Sequence, residues 1–280
     1  MDDNTPAKTE LPPSLRCAVL LTIDFDGPCH EVGRGIAPLG VNSWGRYSAR
    51  RGIPRHLDML ARNGVPATFF VPGYDALHYP QVVRAIDQAG CEVAAHGYLH
   101  EAWDVPAGEE EELLARTDDI LRQTLGKPVH GWRSPSGRKS DLTMHVLKSL
   151  GYIYDASDKD SDRPYRIRFG KGAGDTLVEL PNNTYSLDDF PFFKFSHTPP
   201  SEVLAQWKAE FDGLYDNERY FILTVHPRSG WGSGTPSRTR IMEELIRYMK
   251  SRDGVQFFTA EQFARWCLAN PTHLAEASPV

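Results

Sequence analysis

Two histidines four positions apart, His96 and His100, are the first residues whose type and spacing indicate chemistry. They follow the apolar run 91–95, and a helical turn there would let both imidazoles point at one spot. Histidine is the commonest nitrogen ligand of divalent metals in proteins. Either histidine alone is better explained as an ordinary surface or core residue, whereas the pair favours a metal site. Gly97 stands where the metalloprotease helix motif has glutamate, so the pair does not belong to that motif.

Two carboxylates at alternate positions, Asp24 and Asp26, end the apolar run 17–23. A continuous apolar run of this length is typical of a strand buried on both faces, and alternate residues of a strand point the same way. Gly27 and Pro28 follow at once and predict a turn, where functional residues are common. The sequence therefore predicts two acidic groups at the end of a buried strand.

Further apolar runs also end in polar residues, at Arg133, Asp155 and His226. In a β/α barrel the carboxyl ends of the strands share one face, and that face carries the active site. Five strands that each end in a chemically useful side chain are difficult to explain by packing alone. We therefore expect these residues to meet at one end of a barrel.

The elements that must position these residues follow from the periodicity. Strand, loop and helix alternate about seven times, which predicts parallel strands with helical crossovers in a closed or nearly closed barrel. The length of 280 residues suits one large α/β domain as well as two small ones. We predict a flexible arm at 1–15, a single catalytic barrel at 16–268 and a disordered tail at 269–280.

The composition limits which binding partners and which cellular compartment fit this sequence. The net charge of −6 and the absence of any long basic cluster argue against nucleic-acid binding. No apolar run reaches the roughly 18 residues that a membrane span needs. The amino terminus lacks the basic start and apolar core of a signal peptide, so we expect a cytoplasmic protein. The four cysteines show no CxxC spacing, which argues against a zinc knuckle or a redox pair.

Chemistry gives each residue a candidate role. One aspartate with His96 and His100 would make a two-histidine, one-carboxylate metal site with positions open for water and substrate. A base must take a proton from the attacking water, and the second aspartate is placed for that. His226 could protonate the leaving nitrogen, and Arg133 could keep the base ionised. This set is best suited to hydrolysis of an amide-type bond.

Four motifs in this order resemble those of the polysaccharide deacetylases of the NodB-homology class. The motifs are Asp24-Phe25-Asp26-Gly27, His96-Gly97-Tyr98-Leu99-His100, Arg133-Ser134-Pro135-Ser136-Gly137 and Leu223-Thr224-Val225-His226-Pro227. The resemblance covers about 16–268. It implies an α/β fold, a distorted (β/α)7-type barrel in a single domain, one divalent metal that is usually zinc, and hydrolysis of a non-peptide carbon–nitrogen bond.

Position by position, the resemblance implies a role for each motif residue. Asp24 corresponds to the catalytic base, Arg133 to its partner and His226 to the acid. The implied metal ligands are Asp26, His96 and His100.

Phe25 separates two aspartates that are adjacent in most of the family. The spaced form resembles a branch with allantoinase-like, cyclic-imide-hydrolase-like and peptidoglycan-deacetylase-like members. The segments 162–165 and 186–191 also resemble that branch, which is often tetrameric. A homo-oligomer, possibly a tetramer, is therefore expected. Some branch members have lost a metal ligand, but all three are present here.

The absence of a signal peptide favours a small cytosolic amide, ureide or cyclic imide over a polymer. The long loops 30–51 and 156–200 would enclose such a ligand. Their candidate substrate-binding residues are Trp44, Arg163, Tyr165, Asp189 and Phe192.

Three alternatives stay open from the sequence. The first is an N-deacetylase of an N-acetylated sugar or of a peptidoglycan- or chitin-type glycan. The second is a non-catalytic carbohydrate-binding barrel, although Asp24 and His226 are both present. The third is an esterase, because the same attack by water cleaves esters.

Overall fold

The computed structural model describes residues 15–101, 106–172, 174–217 and 220–274. Residues 1–14 of the predicted arm and 275–280 of the predicted tail lie outside these ranges. Within the predicted tail, Pro271–His273 form a 3-10 turn.

Nine strands and eleven α-helices alternate along the described chain. The strands are β1 (Cys17–Asp24), β2 (Thr68–Val71), β3 (Glu92–Ala95), β4 (Gly131–Trp132), β5 (Tyr154–Asp155), β6 (Tyr165–Arg168), β7 (Thr176–Glu179), β8 (Tyr220–Val225) and β9 (Val255–Phe258). The helices are α1 (Cys29–Val32), α2 (Trp44–Tyr47), α3 (Ile53–Asn63), α4 (Gly73–His78), α5 (Pro80–Gln88), α6 (Ala107–Leu125), α7 (Asp141–Ser149), α8 (Asp189–Pro191), α9 (Pro200–Asn217), α10 (Pro236–Lys250) and α11 (Ala260–Ala269).

The strands form one curled sheet in the order β6-β7-β5-β4-β3-β2-β1-β8, with β9 also paired to β1. Every pairing is parallel except β6 with β7. This arrangement confirms the predicted distorted (β/α)7-type barrel in a single α/β domain. The antiparallel strand β6 differs from the prediction, since its residues Tyr-Arg-Ile-Arg lie within 156–200, where the sequence predicts a long loop.

The side-chain alternation of β1 explains how the barrel is filled. Cys17, Val19, Leu21 and Ile23 belong to the large apolar core, which includes residues of the surrounding helices. Ala18 and Leu20 point the other way and join a smaller cluster with residues of α11. Thr22 and Asp24 are the next two residues on the face of β1 that carries Ala18 and Leu20. Apolar side chains therefore fill one end of the barrel, and polar side chains occupy the end where β1 finishes.

The same alternation continues in the neighbouring strands. Ala94 of β3 and Ile222 of β8 belong to the smaller interior cluster. His96 lies two residues after Ala94, and His226 lies four residues after Ile222, so both lie on the interior face. The period of two residues thus directs Asp24, His96 and His226 into one space.

None of the helices within the described ranges is both long and apolar enough to cross a bilayer.

Candidate active site and metal centre

Asp26, His96 and His100 form a buried group that fits a divalent metal. The Asp26 carboxylate places Oδ1 3.6 Å from the Nε2 of His96 and Oδ2 3.5 Å from the Nε2 of His100. One candidate ligand atom from each residue lies within 4.8 Å of the other two. Asp26 Oδ1 is buried and has no hydrogen-bond partner among the described residues. A cation would satisfy that oxygen, so the donor set fits the implied metal.

The hydrogen bond of His96 prepares the ring for this role. Its Nδ1 lies 2.8 Å from the main-chain oxygen of Arg133. A carbonyl oxygen only accepts, so Nδ1 carries the proton and Nε2 keeps its lone pair towards Asp26. Burial lowers the pKa of His96 and lowers that of His100 to about 3, which keeps both imidazoles neutral.

The two histidines do not lie on the helical turn that their spacing suggested. Residues 96–100 form an irregular loop after β3, and both Gly97 and His100 have left-handed backbones, with φ of 64° and 58°. The loop brings the rings to the same group by a different route. The helical turn that would have brought the rings together does not form, and the loop places both rings beside Asp26 instead.

Asp24 and Arg133 form a buried pair next to the metal group. Arg133 donates from Nη1 to Asp24 Oδ1 at 2.7 Å and from Nε to the carbonyl oxygen of Ala156 at 3.0 Å. Burial alone would raise the pKa of Asp24. The positive charge of Arg133, with a contribution from His226, outweighs burial and lowers the pKa below its ordinary value. Asp24 is therefore ionised and can accept a proton.

His226 faces this pair from the end of β8. Its Nδ1 donates to Asp189 Oδ1 at 2.7 Å, and its main-chain N donates to Asp189 Oδ2 at 3.0 Å. Burial alone would lower the pKa of His226, but the charges of Asp189 and Asp188 and the hydrogen bond to Asp189 raise it to about 10. The Nε2 of His226 is therefore protonated at neutral pH and can donate.

Two buried residues that the sequence analysis missed, Asp75 and Arg228, hold the loop that carries Asp26. Asp26 has a φ of 39°, a left-handed conformation that is unfavourable for a residue with a side chain. Asp75 accepts hydrogen bonds from the main-chain N of Gly27 at 2.8 Å and of Cys29 at 3.2 Å.

Arg228 supports the same loop from the other side. It donates from Nη1 to the carbonyl oxygens of Asp26 and Gly27 at 2.7 and 3.1 Å, and it also pairs with Glu31. Both Asp75 and Arg228 lie only a few residues beyond a strand end, at β2 and β8. That position was the one signal in the sequence that could have identified them.

A cavity of about 310 Å³ lies at the carboxyl ends of the strands, and its lining includes the candidate metal ligands together with Asp24, Arg133 and His226. Its aromatic walls are Phe190 and Trp231, and the ring centroid of Trp231 lies 4.8 Å from that of His226. The volume is at the lower end of the range of about 300–1,000 Å³ for small-molecule sites. It suits one sugar unit or a ligand of similar size better than a long segment of polymer.

The predicted substrate-binding residues do not line this cavity. Trp44 lies against Gly230 and Lys194, and the hydroxyl of Tyr165 donates to Asp158. The other three are also absent from its walls: Arg163 is exposed, Phe192 packs on the apolar core and Asp189 lies behind His226.

Asp155 also faces away from the cavity. It pairs with the Nζ of Lys139 at 2.6 Å, as do Asp158 at 2.7 Å and Glu179 at 3.4 Å. The ammonium group occupies the space that a cation would need between the three carboxylates. This cluster is therefore an ion-pair network beneath the loop after β5.

The comparisons with known proteins give the family of this chain. The sequence model of the family described as polysaccharide deacetylase matches residues 19–154. A peptidoglycan deacetylase of Helicobacter pylori is 30% identical over 254 residues, covering 79% of this chain and 85% of that protein. A peptidoglycan deacetylase-like protein of Gibberella zeae is 26% identical over 293 residues, covering 89% of this chain and 86% of that protein.

Solved structures show the same fold. A crystal structure of a candidate polysaccharide deacetylase from Mycobacterium smegmatis superposes with a TM-score of 0.85 at 32% identity, covering 96% of this chain and 95% of that one. The allantoinase PuuE superposes with a TM-score of 0.81 at 23% identity, covering 95% of each chain. This chain belongs to the polysaccharide deacetylase family. It is a hydrolase of the deacetylase type, which acts on carbon–nitrogen bonds other than peptide bonds.

These relatives change the order of the substrate hypotheses. The sequence favoured a small cytosolic amide, ureide or cyclic imide, with an N-acetyl sugar as the alternative. Two relatives that cover most of the chain are named for peptidoglycan, while the allantoinase is similar in fold only. The N-deacetylase alternative therefore fits the comparisons better than the first hypothesis.

Proposed function

We propose that this protein is a metal-dependent N-deacetylase of an N-acetylated sugar, of the kind found in peptidoglycan- or chitin-type glycans. The observation that carries the proposal is the placement of an ionised Asp24 and a protonated His226 around the group Asp26, His96 and His100. Nε2 of His226 lies 3.9 Å from Oδ2 of both Asp24 and Asp26. A base, an acid and a metal-ligating set therefore surround one small space.

Zinc is the metal we propose, since two imidazole nitrogens and one carboxylate oxygen make a common catalytic zinc set. A divalent ion held by Asp26, His96 and His100 would polarise the amide carbonyl and lower the pKa of water.

The chain's own residues handle the protons. Asp24 accepts a proton from the water that attacks the acetyl carbonyl carbon, and Arg133 keeps Asp24 ionised for that step. His226 donates its Nε2 proton to the amide nitrogen as the carbon–nitrogen bond breaks, so acetate and a free amine result. Asp189 holds the ring of His226 so that Nε2 points into the cavity. Phe190 and Trp231 provide apolar surface next to this acid.

The experiment compares four substrate groups with the zinc-loaded protein. They are N-acetylated chitooligosaccharides, peptidoglycan fragments, cyclic imides and ureides such as hydantoin and allantoin, and acetyl esters of the same sugars. We expect release of acetate from an N-acetyl substrate, with the free amine formed in equal amount.

Hydrolysis of hydantoin, allantoin or succinimide without acetate release would favour the hypothesis of a small amide, ureide or cyclic imide substrate over the N-deacetylase proposal. Cleavage of esters alone would identify an esterase. Saturable sugar binding with no turnover of any substrate would indicate a carbohydrate-binding barrel.

A further inference from the structure

Two cations line the cavity but take no part in the acid–base chemistry. Lys159 donates from Nζ to the Oδ1 of Asn182 at 2.6 Å and to the carbonyl oxygen of Ser157 at 3.2 Å. Arg34 donates from Nη1 to the carbonyl oxygen of His30 at 2.7 Å. All three acceptors are neutral. Within the part of the chain that the structure describes, neither cation forms an ion pair with a carboxylate.

Lys139 shows what a structural lysine looks like in the same neighbourhood. Its ammonium group contacts the carboxylates of Asp155, Asp158 and Glu179, and its charge is neutralised there. Lys159 instead donates to two neutral oxygen atoms at the cavity wall. An ammonium group has three N–H donors, and the two hydrogen bonds of Lys159 leave one available.

The remaining charges of the cavity do not offset these cations. Arg133 balances Asp24, and Asp189 balances His226. Asp188 also lines the cavity and adds one carboxylate, whose Oδ1 lies 3.8 Å from the Nδ1 of His226. Asp26 belongs to the metal-ligating set, where a divalent ion would exceed its single negative charge. The loaded cavity therefore has an excess of positive charge, which favours an anionic ligand.

The two cations come from different parts of the barrel mouth. Arg34 follows α1 in the loop after β1, whereas Lys159 lies in the loop after β5. The strands β2, β3 and β4 separate β1 from β5 in the sheet. The Cε of Lys159 lies next to Gly137, where a Cβ would approach it to 3.3 Å. The side chain of Lys159 therefore extends from the loop after β5 to the loop after β4.

We propose that the cavity takes an N-acetylated sugar that carries a carboxylate, and that Lys159 binds this carboxylate, with Arg34 as a second cation. This inference rests on the proposed N-deacetylase function and narrows its substrate. The carboxylate could belong to the sugar itself, as in a lactyl ether next to the N-acetyl group, or to a short peptide attached there. A charge-assisted hydrogen bond from the ammonium group would recognise either one.

The test measures kcat/KM for four matched substrates with the zinc-loaded protein. They are N-acetylmuramic acid, its methyl ester, N-acetylglucosamine and N-acetylmuramyl-alanyl-isoglutamine, whose free acid lies on the peptide. We expect the wild type to favour at least one acid over the neutral ester by about tenfold, the value of one charged hydrogen bond. The acid that is favoured identifies the source of the carboxylate.

Variants then assign the preference to residues. Lys159→Met should remove most of the preference, measured as the ratio of kcat/KM for the acid to kcat/KM for the ester, and Lys159→Arg should retain it. Arg34→Met, at an exposed position, should reduce the preference to a smaller extent. Lys171→Met is the matched control, because Lys171 is an exposed lysine in the turn between β6 and β7 and lies outside the cavity.

Equal kcat/KM for acid and ester in the wild type would overturn the inference, as would a preference that survives in both Lys159→Met and Arg34→Met. Calorimetric binding of acid and ester to the zinc-loaded Asp24→Asn protein gives the same comparison without turnover. Failure of the proposed function gives a different result, namely no acetate from any N-acetyl substrate, peptidoglycan and chitooligosaccharides included.

Discussion

The Nε2 of His226 lies 3.9 Å from the Oδ2 of Asp24, across the mouth of the barrel from β8 to β1. The first is a protonated donor with a pKa of about 10, and the second is a carboxylate whose pKa is lowered. The opposite shifts come from different partners, Asp189 for the histidine and Arg133 for the aspartate. Acid and base are thus kept in complementary states by residues that need not touch the substrate.

Asp24→Asn should abolish turnover and leave the metal in place. The amide keeps the shape of the side chain but cannot accept the proton, so we expect kcat to fall by about 10²–10⁴-fold. Metal analysis of the purified variant should still find one ion per chain. An Asp24→Asn protein that lost its metal would instead make Asp24 a ligand.

Removal of the metal should affect stability as well as activity. A ligand present at a thousand times its Kd stabilises the folded state by about 4 kcal/mol, so a chelator should lower the Tm and stop acetate release together. Asp26→Ala should already show the low Tm and gain nothing from added zinc. If Asp26→Ala kept both metal and activity, Asp26 could not be a ligand.

Asp75→Asn should weaken metal binding without a direct contact to the metal. The amide cannot accept as strongly from the main-chain N of Gly27 and Cys29, so the loop that presents Asp26 is less well fixed. We expect the Kd for zinc, measured by competition with a chromogenic chelator, to rise by about tenfold.

Asp216→Asn is the control for that measurement. Its side chain is 66% exposed and contacts Arg16 on the surface. An unchanged zinc Kd in Asp75→Asn would show that the Asp26 loop does not depend on Asp75.

Glu92 lies at the end of the barrel opposite the cavity, and it should make the stability of the protein depend on pH. Burial raises its pKa from 4.5 to about 7, even though Tyr154, Thr68 and the main-chain N of Glu261 donate to it. A raised pKa means that the folded protein holds a proton that the unfolded chain releases at lower pH. This contribution is therefore fully present below pH 4.5 and is lost as the pH rises through 7.

Glu92→Gln removes this titration. The free energy of unfolding of Glu92→Gln, relative to that of the wild type, should increase as the pH rises from about 5 to about 8. Urea unfolding at several pH values measures the difference. A difference between the two proteins that is constant with pH would mean that Glu92 is ionised in the folded state throughout.

The strand ends were predictable because the period of two residues fixes which side chains enter the barrel. Asp24, His96, Arg133 and His226 follow buried apolar runs, and their convergence needs only parallel strands. The cavity wall was not predictable in the same way. The loops have no periodicity, and a short π-helical segment, Phe192–Ser196, follows α8. Phe190 therefore lines the cavity while Phe192, two residues later, packs on the core.

The positions of Asp75 and Arg228 were hidden for another reason. Both act on main-chain atoms of a distant loop, and no spacing in the sequence encodes such a contact. Lys159 had no signal either, because its significance depends on carboxylates that form ion pairs with Lys139 and not with Lys159. Local sequence patterns identify the residues that react. The balance of charges among the side chains around the cavity depends on how the chain folds.

The left-handed backbones of Asp26 and His100 have a consequence for protein engineering. Glycine adopts such a conformation without strain, so Asp26→Gly or His100→Gly would relax the metal-free fold. A selection for heat resistance on metal-free protein would therefore favour variants that no longer bind the metal. Libraries for thermostable variants should be screened with zinc present, so that the strained ligands are retained by the ion they hold.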